Sequence, residues 1–361
     1  MSKSIYLGID DGHAMVNVYG EGDSSVTLHS RVRQGIADNL AIGSKPDIVD
    51  GLTITVNGHS YACGTKVTSS FMDTRVENFP GSEQNIALIA YAVAVYFKGN
   101  LPTDEQIIIC TGLPMGTYYP NISTMQSNKE IIERKNKALM ESEIFIEIEG
   151  KKQQIKFAEV ITRPECMMAI YDEIIEESQK QGVERYTKRV SMDKFKDVTT
   201  CYLDIGGRTS DLVLFDGNNL IGQCSGSYEV GALTVADKVR DALKAEYAEF
   251  SPRILDKIMK FYLDNKNNSE AKFNFKNKLI DVLPVINQVL SQEIITIQNF
   301  INAKINTRAD QIDNFKIFGG GAYLYHDLLA ESLKDYPISW VESPELLNAR
   351  SFYKFVRYGR K

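Results

Sequence analysis

The sequence predicts an α/β protein made of two related halves, and three observations carry that prediction. Two stretches repeat one pattern: an apolar strand, an acid, a glycine turn and a returning apolar strand. They are Ile5 to Gly20, IYLGIDDGHAMVNVYG, and Cys201 to Gly217, CYLDIGGRTSDLVLFDG. A third glycine turn, within FKIFGGGAYL (Phe315 to Leu324), joins an apolar strand to a helix. Strand-like and helical runs alternate along the chain, the pattern of α/β folds. At 361 residues the chain can form two cores, at about 100–200 residues per domain.

The elements follow in order. Strand-like runs occupy Ser4–Asp10, Met15–Tyr19 and Ser25–Val32. Thr53–Val56 and His59–Cys63 read as a hairpin about Asn57-Gly58, a favoured two-residue turn. Ile86 to Phe97, IALIAYAVAVYF, is a buried helix and falls short of the roughly 20 residues that span a bilayer. The strand Gln106–Cys110 leads into the turn TGLP, and Lys129–Met140 is a charged helix. Glu143–Glu149 and Gln153–Val160 read as strands about Gly150-Lys151.

Arg163-Pro164-Glu165 reads as a helix start with proline in the first turn, continuing through ECMMAIYDEIIEESQK. The hydrophilic stretch Lys180–Lys196 is the expected hinge between halves. Val230–Tyr247 and Pro252–Leu263 are helical, and Asp264–Lys278 is a polar loop. Ile286, Val289, Leu290, Ile294, Ile297 and Ile301 mark one face of a long helix.

Composition narrows the function. An apolar fraction of 43% and a charged fraction of 24% are those of an ordinary globular chain. With 41 basic and 47 acidic residues the net charge is −6, so the chain as a whole does not attract DNA or anionic membrane. Cys63, Cys110, Cys166, Cys201 and Cys224 contain no C-x-x-C pair, and reduced core thiols are expected. No signal segment is visible, so a cytoplasmic location is expected.

In each hairpin the turn's N–H groups form an anion-binding concavity. Asp10 and Asp204 sit one residue from their strand ends, and Gly12 matches Gly206. A carboxylate beside a phosphate-binding turn needs a cation between them, and Mg²⁺ suits that place because it keeps its waters and shares phosphate oxygens. The glycines at Gly319–Gly321 allow close backbone approach to a flat ligand or a phosphate. Together the three turns point to a nucleotide held between the halves.

The segments Asp10-Asp11-Gly12, LDIGGRTSDL (Leu203 to Leu212) and GGGAYL (Gly319 to Leu324) resemble the phosphate-1, phosphate-2 and adenosine motifs of the actin-type ATPase superfamily. CTGLPMGTYY (Cys110 to Tyr119), NKEIIERKNK (Asn128 to Lys137), Arg163-Pro164-Glu165 and VRDALK (Val239 to Lys244) resemble the bacterial plasmid-segregation actins of the ParM/StbA family. That likeness runs over nearly the whole chain and is weakest in 33–61 and 251–307. It implies an actin-like (ribonuclease H-like) fold of two α/β domains with a nucleotide cleft between them. The first would comprise 1–162 plus 338–361 with a small insertion at about 33–80. The second would comprise 163–337 with a helical subdomain at about 231–310.

The resemblance also implies roles. Asp10 and Asp204 would hold Mg²⁺ through water, and Glu165 would orient the attacking water. The turns Gly12, His13, Ala14, Met15 and Gly206, Gly207, Arg208, Thr209 would cradle the phosphates of ATP or GTP. Gly319, Gly320, Gly321 and Ala322 would back the adenosine, with Asp11, Asn17 and Gly231 completing the nucleotide site. The chain would polymerise into filaments with bound nucleotide and move plasmid DNA through a DNA-binding adaptor, with no direct nucleic-acid or membrane contact.

Two positions depart from the family. Relatives carry a small hydroxyl residue after the first glycine and a lysine a few residues later, where this chain has His13 and Asn17. A protonated His13 would return part of the lost charge, and Arg208 is the second candidate. The alternatives on the same fold are a small-molecule kinase and a chaperone or membrane-associated cytoskeletal or pilus component. The tail SFYKFVRYGRK (Ser351 to Lys361) is expected to pack as the last helix through Phe352, Tyr353 and Phe355.

Overall fold

The computed structural model describes residues 3–37, 47–65, 67, 72–148, 150–179, 186–190, 193–247 and 250–360. Two sheets of matching topology organise it. In the first, the order is Phe157–Pro164, Gln106–Leu113, Ser4–Asp11, Met15–Tyr19, Ser25–His29. In the second it is Ile338–Trp340, Asn314–Phe318, Thr199–Ile205, Ser210–Asp216, Asn219–Leu220. In each, three parallel strands end at the acid-bearing strand, which then turns back antiparallel twice. The two acid–glycine hairpins therefore hold equivalent places, each at the centre of its sheet.

The first sheet packs on helix Glu83–Tyr96, which is buried from Asn85 to Val95. A helix apolar on all faces must be enclosed. Its N-cap Ser82 accepts from the Asn85 N–H, satisfying one of the free first-turn donors. The opposite side of Ser4–Asp11 is covered by helix Leu347–Lys354, where Phe352 and Tyr353 are buried, so the tail packs as expected. The second sheet packs on helices Ala232–Glu246, Pro252–Asn265 and Leu283–Ile305. All six apolar residues expected on one face of the last helix are buried. The five cysteines are free and buried.

Several elements differ from the sequence reading. A third sheet joins Val32–Gln34, His59–Cys63 and Leu52–Val56 to Ile144–Ile148 and Lys151–Ile155, so the insertion at 33–80 is completed by residues 144–155. The single strand read at Gln153–Val160 is two strands in different sheets, parted at Lys156. Asp264–Lys278 is not all loop, since Phe273–Phe275 pairs with Lys278–Ile280.

The largest difference is at Pro164. It ends an edge strand rather than starting a helix, and an edge tolerates a residue with no N–H to donate. The helix beyond it is only Ile170–Ile174, followed by strand Ile175–Gln179 paired with Tyr186–Val190. Much of the expected hinge at Lys180–Lys196 lies outside the described residues. Strand Ile338–Trp340 belongs to the second sheet, so the chain returns to the first sheet after Trp340 and not at 338.

Candidate functional site between the two hairpins

The strand pairing fixes where each acid points. In the first hairpin Asp10 lies opposite Asn17, and in the second Asp204 lies opposite Asp211. The turn tips meet: a Cβ on Gly207 would lie 2.7 Å from the Cβ of Ala14, so no larger residue fits there. The third turn is tied to the second hairpin by the Gly321 N–H, which donates to the Ile205 carbonyl at 2.8 Å. Gly319 has φ +88°, and a Cβ there would lie 2.3 Å from Asp204 Oδ1, so both conformation and space require glycine.

All three turns open onto one cleft of about 200 Å³, which is also lined by Asp10, Asn17, Glu165, Asp204 and Asp211. Most residues expected at the site line it. Gly231 and Ala322 do not. Gly231 sits behind the second turn, where a Cβ would strike the Gly207 carbonyl at 2.5 Å, and Ala322 is buried at the start of helix Ala322–Ser332.

The charges in the cleft are unevenly balanced. Lys135, 1% exposed on helix Lys129–Glu141, reaches Asp11 at 2.9 and 2.8 Å and the Gly112 carbonyl at 2.6 Å. Asn85 donates to Asp11 at 2.7 Å, and Thr111 donates to it as well. Burial opposes ionisation of Asp11, but the Lys135 ammonium and these donors outweigh it and hold the carboxyl below its usual range. Asp11 is thus neutralised within the protein, and its side chain is turned to Lys135.

Among the described residues no cation is bonded to the other carboxylates of the cleft. Burial, reinforced by Asp11, pushes Asp10 up to about 7. Burial and the neighbouring Asp211 raise Asp204 well above the carboxylate range, although Asn348 Nδ2 donates to it at 2.7 Å. Asp211, held by Ser227 and Thr209, is raised by burial to about 6. Glu165 is raised by burial and then by the charges of Asp10, Asp211 and Asp204.

Of the two expected sources of positive charge, His13 is unprotonated and Arg208 is paired elsewhere in this structure. Burial, then Arg208, lowers His13 to about 4, so its imidazole is neutral; it faces Thr74 at 3.3 Å and Phe79. Arg208 lines the cleft but donates to Glu229 at 3.0 Å and to the Arg75 carbonyl at 3.2 Å. Asn17 donates to the Glu345 carbonyl at 3.0 Å, and among the described residues its buried Oδ1 has no donor.

This donor set fits a divalent cation. Four acids, Asp204 and Asp211 buried and Asp10 and Glu165 half-buried, face one cleft with the Asn17 amide oxygen; desolvation raises each, and the charges of the others also raise Asp204 and Glu165, so a bound cation would remove the penalty on their ionised forms. Among the described residues no three His, Cys, Asp or Glu side chains form a direct metal-ligand cluster.

Lys135, Asp211 and Asn348 were not expected at the site. Asp211 had a signal, a lone acid inside the apolar run SDLVLF. Lys135 shares the inward stripe of its helix with Leu139, four residues on, a position where an isolated lysine is out of place. Asn348 carried no signal.

A family model described as archaeal actin homologue MreB-like, C-terminal, matches residues 202–331. No match was found among curated protein sequences. Among solved structures the chain is similar to a non-polymerisable quadruple mutant of pCBH ParM, with a TM-score of 0.76, 19% identity and 98% and 99% of the two chains covered. It is similar to the subunit of a 15-stranded ParM filament from Clostridium botulinum, with a TM-score of 0.72, 17% identity and 98% and 99% covered. An archaeal actin homologue in complex with ADP gives 0.70, 16% identity and 98% and 99% covered. From one end to the other, the chain has the actin-like fold.

Proposed function

We propose that this chain is an actin-like nucleoside triphosphatase of the ParM/StbA kind. It would assemble into dynamic filaments with bound ATP or GTP and move plasmid DNA through an adaptor protein. The observation that carries the reading is the meeting of three glycine turns and four acids in one cleft between two sheets of matching topology. A ParM filament subunit and an ADP-bound archaeal actin homologue among the similar structures support polymerisation and nucleotide binding. The net charge of −6 favours an adaptor as the DNA-binding partner. Among the described residues no helix is long and apolar enough to cross a membrane.

In this reading Asp10 and Asp204 hold Mg²⁺ through water, and the turns at Gly12–Met15 and Gly206–Thr209 cradle the phosphates. The bound cation supplies charge neutralisation to the phosphates. Glu165 takes the role of orienting water, and its raised proton affinity falls once the neighbouring acids are neutralised. Filament growth follows from a head-to-tail contact that does not close, biased by the state of the nucleotide.

The test is light scattering and sedimentation of the purified chain with ATP, GTP, ADP or no nucleotide. Reversible growth with a triphosphate and disassembly after its hydrolysis are expected. A chain that stays monomeric with every nucleotide, and whose hydrolysis is stimulated by a sugar, would favour a kinase instead.

A further inference from the structure

Cys166, the residue after Glu165, has φ +58° and ψ −54°, a conformation rare for a residue with a side chain. The Met167 N–H donates to the Glu165 carbonyl at 2.5 Å, closing the strained form of a three-residue turn. Such strain persists only where the surroundings over-determine it, and it gathers at functional sites.

Three contacts hold this turn. The Glu165 N–H donates to the Leu113 carbonyl at 2.8 Å. Cys166 Sγ packs at 3.4 Å from the Asp211 carbonyl. The Cys166 N–H donates to Asn348 Oδ1 at 3.1 Å. Because a backbone N–H only donates, Asn348 must turn its oxygen to Cys166, which leaves its NH₂ group for Asp204 Oδ2 at 2.7 Å.

Asn348 is 5% exposed on helix Leu347–Lys354, which packs on Ser4–Asp11 of the first sheet. Glu165 follows the edge strand of that sheet, whereas Asp204 belongs to the second. One buried amide therefore links both sheets, and Asp204 of the second, to the turn that presents Glu165.

We infer that Asn348 is a positioning residue for nucleotide hydrolysis: its amide holds the strained Glu165–Met167 turn in register with Asp204. The inference rests on the nucleoside triphosphatase reading above. Movement of one sheet against the other lengthens one of the amide's two main bonds, so the placement of Glu165 depends on how closed the cleft is. Among the described residues Asn348 is bonded to Cys166 and Asp204 and to none of the glycine turns, so nucleotide binding without Mg²⁺ is the measure that its loss should spare.

The experiment compares the full-length chain with Asn348→Ala and with Asn348→Leu, which keeps the side-chain volume and carries the test where the alanine variant is unstable. Mg²⁺-dependent phosphate release from ATP and GTP gives kcat, and calorimetric titration with ADP in the presence of chelator gives Kd. A fall in kcat between about tenfold and 100-fold is expected, the cost of misplacing a reacting group by a fraction of an ångström to one ångström, with Kd for ADP changed by less than about threefold. In a Cys166→Gly background, where the turn is no longer strained, the kcat penalty of Asn348→Ala shrinks. Unchanged kcat, an equal loss of kcat and ADP affinity, or equal penalties in both backgrounds would overturn the inference while leaving the triphosphatase reading in place. A wild-type chain that releases phosphate from neither nucleotide overturns both.

Discussion

The two hairpins occupy equivalent positions in sheets of the same order, and each places an acid one residue from its strand end. Across the register, however, Asp10 faces an amide, Asn17, whereas Asp204 faces a second acid, Asp211. The first hairpin also brings its own counter-charge, since Lys135 is bound to Asp11. Among the described residues no cation is bonded to Asp204 or Asp211, and the nearby Arg208 is paired with Glu229. The difference teaches that similar turns can hold different charge states. One half is neutralised by the protein, and the other is where the proposed Mg²⁺ would supply the missing charge.

Breaking the internal pair has the largest expected effect. Lys135→Met leaves Asp11 buried without its partner and lowers stability by about 3–5 kcal/mol, read from chemical denaturation. Adding Asp11→Asn to that variant restores part of the loss. A single-variant loss below about 1 kcal/mol would mean that Lys135 is not what balances the first hairpin.

The acids left unbalanced give a pH effect of middle size. Asp10, Asp204, Asp211 and Glu165 have folded-state values raised above their unfolded ones. Their stabilising contribution is complete at low pH and is lost as pH rises through the raised values. His13 and His29, both lowered to about 4, work oppositely, losing their contribution as pH falls below the ordinary histidine range. Asp11, held low, loses its contribution only below the usual carboxylate range. The nucleotide-free protein should therefore melt higher at about pH 6.5 than at about pH 8, by roughly 2–4 °C per kcal/mol. Calorimetric scans with Mg²⁺ and nucleotide should flatten this slope. An unchanged slope would mean that the acids do not meet the cation.

Arg208→Ala should have the smallest effect on the fold. Its ion pair with Glu229, which is 77% exposed, contributes about 0–1 kcal/mol. If the guanidinium turns to phosphate when nucleotide binds, affinity falls several-fold with stability nearly constant. Unchanged affinity in a fluorescence titration would remove Arg208 from the site.

The fold was legible largely because glycine turns are local chemistry. Gly12, Gly206 and Gly319–Gly321 each follow an apolar strand, and the paired pattern around Asp10 and Asp204 revealed two related halves. What stayed hidden comes from side chains brought in from afar. Lys135 lies 124 positions from Asp11 in sequence, and Asn348 lies 144 from Asp204. Local patterns carry no record of such meetings. Pro164 misled for another reason: proline suits a first helical turn and a strand edge equally, and only the neighbouring strand Gln106–Leu113 decides between them. His13 looked like a replacement cation until burial and the charge of Arg208 were known.

The central claim is that the second hairpin is completed by a cation arriving with nucleotide. Calorimetric titration of ATP and GTP into the wild-type chain and Asp204→Asn, each with Mg²⁺ and with chelator, tests it most directly. The account predicts that Mg²⁺ tightens binding to the wild type by about tenfold or more, or about 1.4 kcal/mol, and that Asp204→Asn loses this gain. It also predicts that nucleotide-free Asp204→Asn is at least as stable as the wild type. Equal binding with and without Mg²⁺, or an undiminished Mg²⁺ gain in Asp204→Asn, would contradict it.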